Sequence, residues 1–160
     1  MGKLTGTRHG DAANELLVFY REKVNELEDA GQYFMAAIAL AFAVETAVLT
    51  YLLVEFGEDN GGELEIPDSV DFSELIKAAN EIDVLNAPIN IPSHVGEDEN
   101  TDTPKHVAKD VIEKIRRFRN LIHPACALRK SYDPRTFTHE QLEEFKEMYE
   151  SILHSLLHHI

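Results

Sequence analysis

An all-α fold, an up-and-down helical bundle of four long helices plus one short helix, is what three features of this 160-residue sequence predict. Apolar residues recur at helical spacing in four long stretches, several stretches open on residues that cap helices, and strand-type alternation is almost absent. With 44% hydrophobic residues there is material for one compact core and not comfortably for two, so residues 1–160 read as a single domain. No internal repeat of solenoid period interrupts it.

The first helix is expected from a cap at Asp11 to about Ala30, with Leu16, Leu17, Tyr20, Val24 and Leu27 as its apolar stripe. The second, "YFMAAIALAFAVETAVLTYLLVEF" over 33–56, is apolar nearly all round and belongs at the centre of the bundle, ending where Gly57 and "EDNGG" follow. It is long enough to cross a bilayer. Glu45 at its middle, which costs about 2.5–3.5 kcal/mol on insertion scales, and its acidic flanks favour a buried helix of a soluble protein with no membrane partner. Asp71 with Glu74 resembles a capping box for the short third helix, which turns Phe72, Leu75, Ile76, Ala79 and Ile82 inward.

Between Asn86 and Thr103 the chain is polar, proline-punctuated and then strongly acidic, the pattern of a mobile loop. Thr103 caps the fourth helix and Pro104 takes its first position, and the helix runs to about Ile122. Thr138 and Gln141 make a capping box for the last helix, whose stripe is Leu142, Phe145, Met148, Tyr149, Ile152, Leu153 and Leu156.

Fifteen basic residues stand against twenty-nine acidic ones, a formal charge of -14 that repels polyanions over most of the surface. Any nucleic acid must therefore land on a local basic patch. The single cysteine, Cys126, excludes an intramolecular disulfide and a cysteine-rich zinc module, and fits a reducing compartment. "MGKLTGTRHGDAANE" has no apolar run after its charges, so no signal peptide is read there, and cytoplasm is the expected location.

Against that acidity, "RRFRNLIHPACALR" (116–129) concentrates four arginines and a histidine. At about 100° per residue, Val111, Ile115, Phe118 and Ile122 form a buried stripe, and Arg116, Arg119, Asn120 and His123 share a flank about 80–180° away. Arg117 points elsewhere. Pro124 ends the helix, which leaves His123 at a C-terminal end where the macrodipole favours imidazolium. A histidine that exchanges protons near neutral pH beside an arginine that binds phosphate has the means to cleave RNA without a metal. The same residues also fit a structural role, with the arginines paired to acids and Asn120 holding backbone near a helix end.

Other patterns are weaker. His154 and His158 stand four apart, with His159 adjacent, but no matching carboxylate or cysteine completes a metal set. No glycine-rich phosphate loop, dinucleotide fingerprint or serine elbow occurs, so no cofactor and no metal are expected.

Three blocks in order, "AIALAFAVETAVLTYLL", "FSELIKAANEIDVL" and "RRFRNLIHP", resemble the HEPN superfamily of small helical bundles, in particular its uncharacterised bacterial and archaeal branch with an RNxxHP-type motif. With the closing helix they cover most of the chain from about Tyr33 onward. The resemblance implies a homodimer in which facing motif helices bring arginine and histidine from both chains into one cleft. It also implies metal-independent endoribonuclease activity in defence or toxin-antitoxin biology, or binding of RNA, a nucleotide or a partner protein without cleavage.

The superfamily motif places an arginine, usually followed by a polar residue, with four to six residues before the histidine. His123 matches the histidine. Arg119 has the polar neighbour Asn120 but only three intervening residues, whereas Arg117 has five and Arg116 six, each without a suitable polar neighbour. Glu45 resembles the lone acid of the second helix and is expected either to pair with the motif arginine or to satisfy another core partner. The candidate catalytic set is His123, Arg119, Arg116, Asn120 and Glu45, and the competing expectation is a non-catalytic dimeric interaction module using the same cleft.

Overall fold

The computed structural model of the chain describes residues 2–59, 63–66, 76–77 and 108–157. The protein is all-α apart from one short ribbon. Helix α1 spans Gly6–Asp29, α2 Tyr33–Asp59, α3 Ala108–Arg119, α4 Pro124–Arg129 and α5 His139–Leu157. Strands β1 (Gly2–Thr5) and β2 (Glu63–Ile66) pair antiparallel, Leu4 opposite Leu64.

The α1–α2 connection is set by glycine chemistry. Gly31 adopts φ 74°, and the amides of Gly31 and Gln32 donate to the carbonyls of Glu28 and Leu27, the reciprocal pair of a Schellman turn. A side chain is strained at that φ, whereas glycine enters it freely. The turn sends α2 back along α1, and at about 1.5 Å per residue the two helices are similar in length. Residues before α1 and after α2 thus arrive at the same end, which explains a ribbon that eight residues of unremarkable strand propensity do not announce.

Helix α2 packs against α1, α3 and α5, and α3 also packs against α5. Ala41, Ala43, Val44 and Val48 of α2 are fully buried, so small side chains let the neighbouring helices approach from several directions. The window Tyr33–Leu53 is apolar and long enough to cross a membrane, and 78% of it is buried within the chain. The α5 stripe is placed as expected, with Leu142, Met148, Tyr149, Ile152 and Leu156 in the interior. Its capping box forms: the Thr138 amide donates to Gln141 Oε1 at 2.9 Å and the Gln141 amide to Thr138 Oγ1 at 3.2 Å.

Four expectations are corrected. α1 begins at Gly6, so Asp11 lies inside the helix rather than capping it. Leu16 is exposed at the edge of its stripe. Helix α2 continues through Gly57 to Asp59. Ile122 is exposed and Leu121 buried in its place, because residues 120–122 form a 3₁₀ turn. At about 120° per residue that turn leaves the α-helical register which the expected stripe assumed.

Of the expected third helix only Ile76 and Lys77 are described. They are helical, and Ile76 is buried in the main core. The rest of that helix, the 86–103 loop, and the Thr103 cap with Pro104 lie outside the described residues, as do His158 and His159.

Candidate functional site

Helix α3 carries its charges at graded distances from the core. Ala108, Val111, Ile112 and Ile115 are all buried, so the buried arc is wider than Val111, Ile115 and Phe118 alone define. Measured from Val111, Ile115 lies at about 40° and Ile112 at about 100°, which places Arg119, at about 80°, inside the arc. Arg116 falls at its edge and Arg117 on the solvent side.

The contacts follow that order. Arg119 Nη1 donates to Glu45 Oε2 of α2, and its guanidinium lies 5.4 Å over the Phe42 ring. Phe42 in turn stacks on Tyr20 of α1 at 5.5 Å, so one cation and two rings tie three helices. Arg116 Nε donates to Glu113 Oε2 at 2.9 Å, within its own helix. Arg117 is exposed.

His123 does not share a helical face with these arginines. It has extended dihedrals, φ −80° and ψ 119°, and its carbonyl accepts the amides of Cys126 and Ala127. It closes the 3₁₀ turn and also caps α4, whose first residue is Pro124. Pro124 therefore starts a helix as well as ending one. The imidazole stands at the C-terminal end of one element and the N-terminal end of another, so the expected one-sided macrodipole is replaced by two opposed ends. His123 is exposed and Asn120 half-buried, with the Asn120 carbonyl accepting the His123 amide at 3.1 Å. The structure thus joins Glu45 to Arg119 and Asn120 to His123 through backbone, and sends Arg116 to a separate acid.

Sequence reasoning missed a groove of about 830 Å³ that begins where the motif ends. Its rim includes Met35, Ile122 and Leu128, which are 40%, 37% and 79% exposed. Phe34, Leu121 and Phe137 are among the residues of its floor. Phe34 and Phe137 pack with Phe118, their ring centroids 5.5 and 5.1 Å from it, so these faces are largely spent on one another.

A second Schellman turn closes α4. The amides of Ser131 and Tyr132 donate to the carbonyls of Leu128 and Ala127, with Ser131 at φ 52°, and Tyr132 is half-buried on the groove wall. Burial, and then the charge of Asp133, raise the Tyr132 phenol, which keeps its proton. Asp133 is held below the usual carboxylate range by its hydrogen bonds to Arg135, a two-pronged side-chain pair at 3.0 Å and a backbone bond. Pro124 as a helix-starting residue was the one available sequence signal for this corner.

Elsewhere, Glu28, His139 and Glu143 bring ligand-type atoms within 4.8 Å of one another. The Lys146 ammonium already donates to Glu28 at 2.7 Å and to Glu143 at 3.3 Å, so the carboxylates are neutralised by a resident cation. The hydrogen bond from Lys146 lowers Glu28 despite partial burial. Burial by itself would lower Lys146, and its bonds to Glu28 and Glu143 outweigh that and raise it.

No family model matches the chain, and no curated protein and no solved structure is significantly similar to it.

Proposed function

We propose that this chain is a HEPN-like, non-catalytic interaction module, an up-and-down bundle that binds a partner protein at the corner formed by the 3₁₀ turn, α4 and the start of α2. The observation that carries this reading is a division of labour. Arg119 and Arg116 are engaged by Glu45 and Glu113, while the surface next to His123 exposes aliphatic side chains around a groove. An arginine whose charge is already met by a carboxylate offers less charge to a phosphorane-like transition state, which opposes catalysis. Exposed apolar side chains grouped on one concavity are a mark of recognition surfaces.

A second reading, a metal-independent endoribonuclease, is supported by the exposure of His123 in a segment that also exposes Arg117 and Arg129. In it, His123 moves the proton of a ribose 2′-hydroxyl, and a homodimer supplies a second copy across the cleft. The two readings separate in one experiment. Single-stranded RNA incubated with the protein in EDTA should remain intact, and His123→Ala should leave the melting temperature unchanged. Cutting that leaves 2′,3′-cyclic phosphate ends and disappears in His123→Ala would replace the first reading with the second.

A further inference from the structure

We infer that Glu28 of α1 and His139 and Glu143 of α5 form a zinc site that clasps the two helices together, with the Lys146 ammonium as hydrogen-bond partner of the ligating carboxylates. It is independent of the function proposed for the corner at α4. No stretch of sequence contains this set, because Glu28 lies 111 positions from His139.

Each ligand is placed by an element whose end is fixed. His139 opens α5, where the Thr138–Gln141 capping box holds the first turn, and Glu143 stands four residues on, so the two share a face. Glu28 lies in the last turn of α1, and its carbonyl accepts the Gly31 amide at 2.9 Å in the Schellman turn. Tyr33, the first residue of α2, sets its ring 5.0 Å from the imidazole.

His139 Nε2 lies 3.3 Å from Glu28 Oε2 and 3.3 Å from Glu143 Oε1, and the ligand-type atoms of all three residues fall within 4.8 Å of one another. Hydrogen bonding accounts poorly for this arrangement. Good N–H···O bonds measure about 2.7–3.2 Å, and one ring nitrogen has one proton to give to two carboxylates. A shared ion accounts for it well: bonds of about 2.0–2.2 Å from zinc to nitrogen and oxygen, in a tetrahedron, put the ligand atoms about 3.3–3.6 Å apart. His139 and Glu143 are 53% and 52% exposed, which leaves room for the remaining adjustment and for water at the fourth position.

Lys146 does not fill this place. Its ammonium takes Glu28 Oε1 at 2.7 Å whereas the imidazole faces Oε2, so the two meet different oxygens of that carboxylate. At Glu143 both approach Oε1, where the ammonium stands at 3.3 Å, the looser of its two contacts. A ligating carboxylate that also accepts a hydrogen bond from a neighbour is the usual arrangement around a metal. One ammonium shared by two carboxylates leaves the group attractive to a second cation. The donor set then selects the ion, since one imidazole nitrogen with two carboxylates suits zinc, whereas magnesium and calcium favour shells built of oxygen.

The test is isothermal titration calorimetry with zinc chloride on the full chain carrying His154→Ala and His158→Ala, which removes the other histidines spaced four apart. One zinc should bind per chain, excess magnesium should not displace it, and cobalt(II) in its place should show the visible absorption of four-coordinate cobalt. His139→Ala and Glu143→Gln, both at exposed positions, should each weaken zinc by about tenfold or more while the metal-free melting temperature stays near that of the parent. Zinc should raise the melting temperature of the parent and not that of His139→Ala, because the bound ion stabilises only the folded state that brings α1 to α5.

Absence of zinc binding would overturn the inference. So would zinc held as tightly by His139→Ala and Glu143→Gln as by the parent, or zinc that magnesium displaces, the mark of a diffuse acidic patch. Glu28→Gln separates a clasp from a site on α5 alone: zinc bound undiminished by that variant would overturn the link between the helices.

Discussion

Glu45→Ala, Arg119→Ala and the double variant form a thermodynamic cycle around the Arg119–Glu45 ion pair that ties α3 to α2. The two side chains are 23% and 18% exposed, so the pair is neither a surface bridge nor a sealed one. Breaking a fully buried pair from one side costs about 3–5 kcal/mol, because a charge is stranded in the interior. Exposed pairs contribute about 0–1 kcal/mol. With about a fifth of each side chain in reach of water, Glu45→Ala should cost about 2 kcal/mol, with a coupling energy of about 1–2 kcal/mol between the two sites.

Arg119→Ala should cost more than Glu45→Ala, since it also removes the guanidinium from the Phe42 face, a contact worth about 0.5–1 kcal/mol. Arg119→Lys should recover part of the loss, keeping the charge without the planar fork or the stack. Urea unfolding followed by circular dichroism gives all four corners, and each kcal/mol should appear as roughly 2–4 °C in melting temperature. A coupling energy under about 0.3 kcal/mol would refute the reasoning, since that is the size of ordinary non-additivity between independent sites.

Other consequences are open to the same methods. Ser131→Gly should stabilise the chain by about 0.5–1 kcal/mol by relieving φ 52°, and Gly31→Ala should destabilise it by about 1 kcal/mol, so opposite shifts in urea midpoint test the two Schellman turns. Phe118→Ala should cost about 3 kcal/mol, because its ring lies 4.7 to 5.5 Å from Phe34, Phe137 and Phe145. Gln141→Ala should cost about 0.5–1 kcal/mol through the α5 capping box, read from the same unfolding curves.

The Glu28–Lys146 pair adds a pH dependence. Glu28 is lowered from 4.5, so its contribution is full above that pH and is lost as pH falls through the lower folded-state value. Lys146 is raised from 10.5, so its part is full below that pH and is lost as pH rises through the higher folded-state value. The melting-temperature gap between wild type and Lys146→Met should therefore be widest near neutrality and narrow toward both acid and strong alkali. A gap that stays constant across that range would refute the assignment.

What the sequence determined by itself is local. Helical spacing marks the α5 stripe because residues three and four apart share a face whatever the helix packs against, and Thr138 with Gln141 starts that helix through bonds across three residues. The nearly uniform apolarity of α2 likewise placed it at the centre, and Glu45 stood out as the one acid in its apolar stretch over 33–54. Tertiary structure decided which arginine meets Glu45. Arg116, Arg117 and Arg119 differ by fractions of a helical turn, and only the seating of α3 on α2, with Ile112 widening the buried arc, turns Arg119 across 74 positions of sequence. It also decided that Pro124 opens α4 and that the 3₁₀ turn exchanges Leu121 for Ile122. The groove is a tertiary product too: Met35 and Leu128 come from helices far apart in the chain, and their shared exposure is a property of packing that no window of sequence contains.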